Sequence, residues 1–318
     1  MTRKYLFGEP LAIKAIRRKL RAQVTLIALP LLIAVPFLGQ PASAESSRAA
    51  GAPSAMSPAT RVLPLEGGRN FRDLGGYPTE DGKSIKWRKV FRSGVLSGLT
   101  EADFRVLSDI KIKTILDFRM SSERENAPTN WKSGEVAYLT FPDVLSMKGN
   151  PLIDAVKAPD ASAESVSKAM KILYRKIAQV HKPMYKEMFA QLAAGQTPMV
   201  IFDSAGKNRT GVGAGLLLTA LGVPRDIILK DFALSDEVVD YRREMLKPVG
   251  SNAEKDQYSW MRKIRPDVIE PFLRSDPAYL EAAFAYMEET SGSVEAFIHR
   301  ELDVTSDDIK SIRAELLN

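Results

Sequence analysis

The sequence has no cysteine and only two histidines, His181 and His299, in 318 residues. The missing thiols exclude disulfides, thiolate metal sites and a cysteine nucleophile together. The histidines lie far apart, outside any ligand spacing, so no zinc site is expected, nor any other metal or cofactor. The chemistry falls to carboxylates, hydroxyls, Lys, Arg and the backbone. Disorder is excluded as well, since 45% hydrophobic and 26% charged residues supply enough apolar side chains for a sizeable core.

A basic excess is absent from most of the chain. The formal charge is +6, but seven of the 45 bases and one of the 39 acids lie within 1–44, which leaves 38 of each sign beyond. A globally basic nucleic-acid footprint disappears with that leader, and no nucleic-acid partner is expected. The leader has the parts of a secretory signal: basic residues through Arg21, an apolar run from Val24 to Leu38, and Ala42-Ser43-Ala44 before Glu45. Cleavage after Ala44 predicts an exported chain, periplasmic or secreted. Pro30, Pro36 and a run shorter than about 20 residues argue against a retained membrane span. Residues 45–62, rich in Ala, Ser and Pro, read as a flexible linker, and 63–318 as one domain.

Within that domain, Asp81-Gly82 predicts a hairpin tip and Lys89–Gly94 a strand with its exit. Thr100 caps a helix expected to run through Ile110, with Phe104, Leu107 and Ile110 on one face. Thr114–Phe118 is an apolar strand. Residues 144–192 read mostly as helix, over 163–180 and again over 183–192 after a proline break, and are expected as an added lid. Pro198–Phe202 is a short buried strand, and Gly211–Leu221 an apolar helix.

Between that strand and helix lies Asp203-Ser204-Ala205-Gly206-Lys207-Asn208-Arg209-Thr210-Gly211. Successive amides closing onto a helix N-terminus make a concave anion nest. Gly206 permits a turn that a Cβ would hinder. Arg209 can fork onto two phosphate oxygens, Lys207 adds a point charge, and Thr210 offers a hydroxyl at the base. The stretch predicts a phosphate cradle lined by Ser204, Ala205, Gly206, Lys207, Asn208 and Arg209. The order of Lys and Arg differs from a nucleotide P-loop.

This loop resembles the His-Cys-x5-Arg-Ser/Thr signature of the protein tyrosine phosphatase superfamily, in the Ala-Gly-Lys variant of bacterial tyrosine/serine phosphatases, which is similar to the lysine-bearing loop of phosphoinositide phosphatases. Asn70–Tyr77, Phe91–Gly94, Leu116–Arg119 with Glu123-Arg124, Asp231–Ser235, and Gly292 before a C-terminal helix ending Leu316-Leu317 resemble the same bacterial family. The resemblance implies an α/β fold with a central sheet flanked by helices. It also implies phosphomonoester hydrolysis on phosphotyrosine, phosphoserine or phosphoinositide, with a phosphorylated protein or phosphoinositide as partner.

The departures bear on activity. Asp203 stands at the position of the nucleophilic cysteine, Phe202 at that of the preceding histidine, and Asn208 where the bacterial subgroup commonly has Asp. A carboxylate is a poorer nucleophile than a thiolate and can accept the loop N–H bonds itself, as an internal phosphate mimic. Asp203, Arg209, Lys207 and Asp117 are the candidate catalytic residues, with activity expected to be weak or lost; the alternative is a pseudophosphatase that binds anionic ligands without turnover. The resemblance puts Asp117 at the cradle rim, although an Asp closing a strand also serves as a turn acceptor. Asp143 after Phe141-Pro142 fits a general-acid loop or a common turn. Arg119 and Arg124 either hold loops, meet an anion, or pair with Glu123 or Glu125. His181 and His299 read as structural or solvated.

Overall fold

The computed structural model describes residues 61–144, 150–246 and 259–318. The expected leader and the linker as far as residue 60 lie outside the described residues. Among those described, β1 (Arg72–Asp73), β2 (Val90–Ser93), β3 (Thr114–Asp117), β4 (Ala137–Thr140) and β5 (Met199–Phe202) form one sheet in the order β1-β2-β5-β3-β4. β1 pairs antiparallel with β2, and the other pairings are parallel. The register sets Ser93 and Asp117 beside Phe202, so three parallel strands end together where the candidate loop begins. In open α/β sheets, ligand sites form outside these carboxyl ends.

The central strands are apolar throughout because both faces are covered. Side chains alternate across the sheet. Phe91, Ile115, Val200 and Phe202 face one core with Phe104 and Leu107 of α1 (Glu101–Ser108). Val90, Leu116, Met199 and Ile201 face a larger helical core. Thr100 caps α1 in a reciprocal box with Asp103; the helix ends at Ser108, while Ile110 still packs in the first core.

The chain continues through α2 (Ser121–Asn126), α3 (Pro151–Lys157), α4 (Ala163–Val180), α5 (Lys182–Ala193) and α6 (Asn208–Leu221). Then come α7 (Arg225–Ala233), α8 (Ser235–Val238), α9 (Tyr241–Leu246), a 3-10 turn at Ser259–Lys263, α10 (Pro266–Leu273), α11 (Pro277–Ser291), α12 (Val294–Glu301) and α13 (Ser306–Leu316). The helices expected as a lid are present, but Met170, Tyr174 and Ile177 of α4 and Tyr185 and Met188 of α5 are buried in the larger core with α6 and α11. Their apolar faces make them a layer of the fold. The domain also reaches into the stretch read as linker. Val62 bridges Arg72, and Arg61 donates to the carbonyls of Asp73 and Gly75 at 3.1 and 3.0 Å.

β4 had no clear signal, since its residues are half-buried or exposed. At the other end of the chain, Leu317 bridges Ile85. No described helix is long and apolar enough to cross a membrane.

Candidate active site

Residues 203–207 turn from β5 into α6, and Asp203 fills the centre of the turn. Its Oδ1 accepts the amides of Ala205 (3.0 Å), Gly206 (2.6 Å) and Lys207 (3.3 Å), while Oδ2 accepts that of Thr210 (3.2 Å). The carboxylate is thus the anion in a nest of backbone donors at a helix N-terminus, where the dipole also favours negative charge. It is 1% exposed. The Thr210 hydroxyl is buried beside it with no hydrogen-bond partner among the described residues. Gly206 has φ +69°, and a Cβ there would stand 2.5 Å from the amide nitrogen of Gly94, so the turn requires glycine on both counts.

The outer side of the loop is braced by a buried polar network. The Ala205 carbonyl accepts the Tyr241 hydroxyl (2.8 Å), and the Gly206 carbonyl accepts Asn70 Nδ2 (2.9 Å) and an Arg92 guanidinium nitrogen (2.8 Å). Asp231 joins Arg72 at 3.0 Å to Arg92 at 2.6 Å. Burial pushes the Asp231 carboxyl up, but the two guanidiniums outweigh it and hold the group well below the usual carboxylate range. With the carbonyls tied outward, the amides face inward. Sequence reading had these residues only as blocks of the resemblance; their shared role is visible once β1, β2 and α7 converge.

The cationic side chains are engaged by the protein itself. Arg209 donates to both oxygens of Glu123, at 2.6 and 2.8 Å, and to the Phe118 carbonyl at 3.0 Å. Its Nε lies 3.7 Å from Asp203 Oδ2. Burial opposes ionisation of Glu123, yet the Arg209 ion pair and further hydrogen bonds bring its carboxyl down to about 2. Ser204 Oγ also donates to Glu123, at 2.6 Å. Lys207 departs from the expected point charge over the cradle: its Nζ donates to the carbonyls of Phe272 (2.7 Å) and Arg274 (3.2 Å), beyond the C-terminal turn of α10. Burial lowers this amine to about 8 against the opposing charges of Asp236 and Asp203. The Asn208 carboxamide oxygen accepts the Tyr174 hydroxyl at 2.9 Å.

Asp117 is buried at the end of β3, where Arg119 clasps both its oxygens at 2.8 and 2.7 Å and the Tyr138 hydroxyl donates at 2.6 Å. These contacts turn its carboxylate to the loop after β3, the turn-acceptor side of the expectation. Asp143 is exposed and accepts the amide of Ser121 at 2.8 Å, which caps α2. Arg124 donates to the Arg119 carbonyl and to Ser121 Oγ, so both arginines hold this connection. His181 is buried at the junction of α4 and α5, with burial and then Arg209 lowering it to about 3. His299 contacts the Val304 carbonyl. Glu123 is the residue whose place beside the loop sequence reading missed. Among the described residues, no cluster of three or more Asp, Glu or His side chains could hold a metal ion.

A model of the tyrosine phosphatase family matches residues 63–318. A Cupriavidus necator protein provisionally named a tyrosine-protein phosphatase is 28% identical over 257 residues, 78% of this chain and 85% of that protein. The triple specificity protein phosphatase PtpB of Mycobacterium tuberculosis is 27% identical over 285 residues, 80% of this chain and 99% of its own. A crystal structure of P. aeruginosa TpbA in complex with pTyr aligns at 16% identity over 47% of this chain and 70% of that one, with a TM-score of 0.24. The family match spans the whole folded domain, with the braced loop at its centre, and the chain belongs to the tyrosine phosphatase family.

Proposed function

We propose that this chain is an exported phosphatase-family protein whose loop serves phosphomonoester ligands, a phosphorylated protein or phosphoinositide, and whose hydrolysis is weak or lost. The carrying observation is the Asp203 carboxylate, which takes four amides of the loop. Family chemistry transfers the phosphoryl group to a thiolate before water releases it. Asp203 is a poorer nucleophile, and its charge opposes a phosphate dianion in the same nest. The braced backbone and Arg209 still suit anion binding. The second reading, a pseudophosphatase that binds without turnover, draws on the same hydrogen bonds, because they satisfy Asp203 without a substrate. Export follows from the leader, and no stable membrane span remains after cleavage at Ala44.

The deciding experiment is aryl-phosphate hydrolysis by the purified mature chain, with and without divalent metal, beside Arg209→Ala. A slow rate that Arg209→Ala abolishes supports residual catalysis, and a rate at background supports the pseudophosphatase. Hydrolysis at ordinary enzymatic rates, on the order of 1 s⁻¹ or more, would contradict both.

A further inference from the structure

Arg209 is the side chain that an incoming phosphate must reach, and a carboxylate of the protein already holds it. Its terminal nitrogens meet Glu123 Oε2 at 2.6 Å and Oε1 at 2.8 Å, the forked arrangement in which a guanidinium also grips phosphate. Glu123 Oε1 accepts the Ser204 hydroxyl as well, at 2.6 Å. The start of α2 tethers this carboxylate, since Oε2 accepts the Met120 amide at 2.7 Å. Asp203 covers the amide half of the anion site, and Glu123 covers the guanidinium half.

We propose that Glu123 is a tethered competitor for the ligand: a phosphate enters by displacing Glu123 from Arg209 and Ser204, so the short helix α2 sets the affinity of the cradle. This rests on reading the loop as a phosphate cradle and names how that site is regulated. Displacement frees two guanidinium donors and one hydroxyl, a set that the peripheral oxygens of a phosphomonoester can occupy together. A phosphomonoester dianion brings two charges where Glu123 brings one. A ligand carboxylate would only replace one carboxylate with another and would lack the high effective concentration that a tether confers. The site therefore selects dianionic phosphomonoesters over carboxylates.

The test is titration calorimetry of inorganic phosphate at fixed ionic strength, with thermal unfolding with and without phosphate. The parent chain, Glu123→Gln, Asp203→Ser and the double variant are compared, with Arg209→Ala as control. Glutamine keeps the size and removes the charge. Glu123→Gln is expected to bind phosphate about tenfold tighter, the scale of one charge-assisted contact no longer competed for. Without ligand it melts below the parent because Arg209 loses its charged partner, and phosphate raises its Tm by more than it raises the parent's. Glu123→Asp, charged but shorter, falls between the two in affinity. A purely structural role would lower the Tm without the larger phosphate response. Phosphate binding no tighter than the parent's, in both Asp203 backgrounds, overturns the proposal, as does absence of binding in all four chains. Tightening by Glu123→Gln but not by Asp203→Ser leaves the proposal standing and removes the internal-anion role of Asp203 instead.

Discussion

Asp203 does for this loop what a bound oxyanion would do, since a nest of amides closing onto a helix needs an acceptor. The loop conformation is therefore not contingent on ligand, and its strictest requirement falls on Gly206. Gly206→Ala is expected to cost about 2 kcal/mol or more, because it combines positive φ with a backbone clash; a urea denaturation midpoint unchanged from the parent would show that the turn relaxes. Glu123 gives the clearest pH signature. Its carboxyl is lowered in the folded chain to about 2 from 4.5, so its contribution is fully present above pH 4.5 and is lost as pH falls through 2. The stability advantage of the parent over Glu123→Gln should shrink across that window in thermal melts, and an advantage independent of pH would contradict the ion pair. The amide-accepting role of Asp203 was legible because it is local, spanning positions 203–210. The partnership of Glu123 with Arg209 was not, because the two are separated by 86 positions and nothing in a Ser-Glu-Arg-Glu stretch distinguishes a buried carboxylate from a solvated one.

The strands and helices place the loop through a few long-range ties. β5 and α6 were readable from their apolar runs, and α4 from its helical period, because a chain covered on one or both faces must repeat its burial pattern. What an element packs against is not in its own pattern, which is why α4 and α5 read as a lid although their apolar faces close the main core. β4 escaped notice for a related reason: an edge strand with half-exposed residues has little to alternate. The bracing elements β1, β2 and α7 meet at Asp231, the only carboxylate between two buried guanidiniums in that network. Asp231→Asn should therefore destabilise the domain by about 3–5 kcal/mol, since it leaves buried positive charge uncompensated. Hydrogen exchange at the amides of Ala205 and Gly206 should quicken in the same variant. Stability within about 0.5 kcal/mol of the parent would mean that the network is not what holds the loop.

Across the whole molecule, charge is balanced beyond residue 44 and concentrated before it, which suits a basic leader removed on export. N-terminal sequencing of the secreted or periplasmic chain should begin at Glu45, and recovery of a membrane-extracted chain starting at Met1 would reject cleavage. The absence of cysteine makes one substitution unusually informative. Asp203→Cys places the sole thiol of the chain among the amides that now hold the carboxylate, near Arg209 and the unpartnered Thr210 hydroxyl. A preorganised anion site should stabilise the thiolate and direct it at phosphorus. The most direct measurement is the rate of aryl-phosphate hydrolysis by Asp203→Cys beside the parent and Asp203→Ala. An intact cradle lacking only its nucleophile predicts a rise of about 10²-fold or more over the parent, modest against the ~10⁶-fold that loss of a nucleophile can cost. A parent that already hydrolyses well, with Asp203→Ala unchanged and Asp203→Cys no faster, would contradict it.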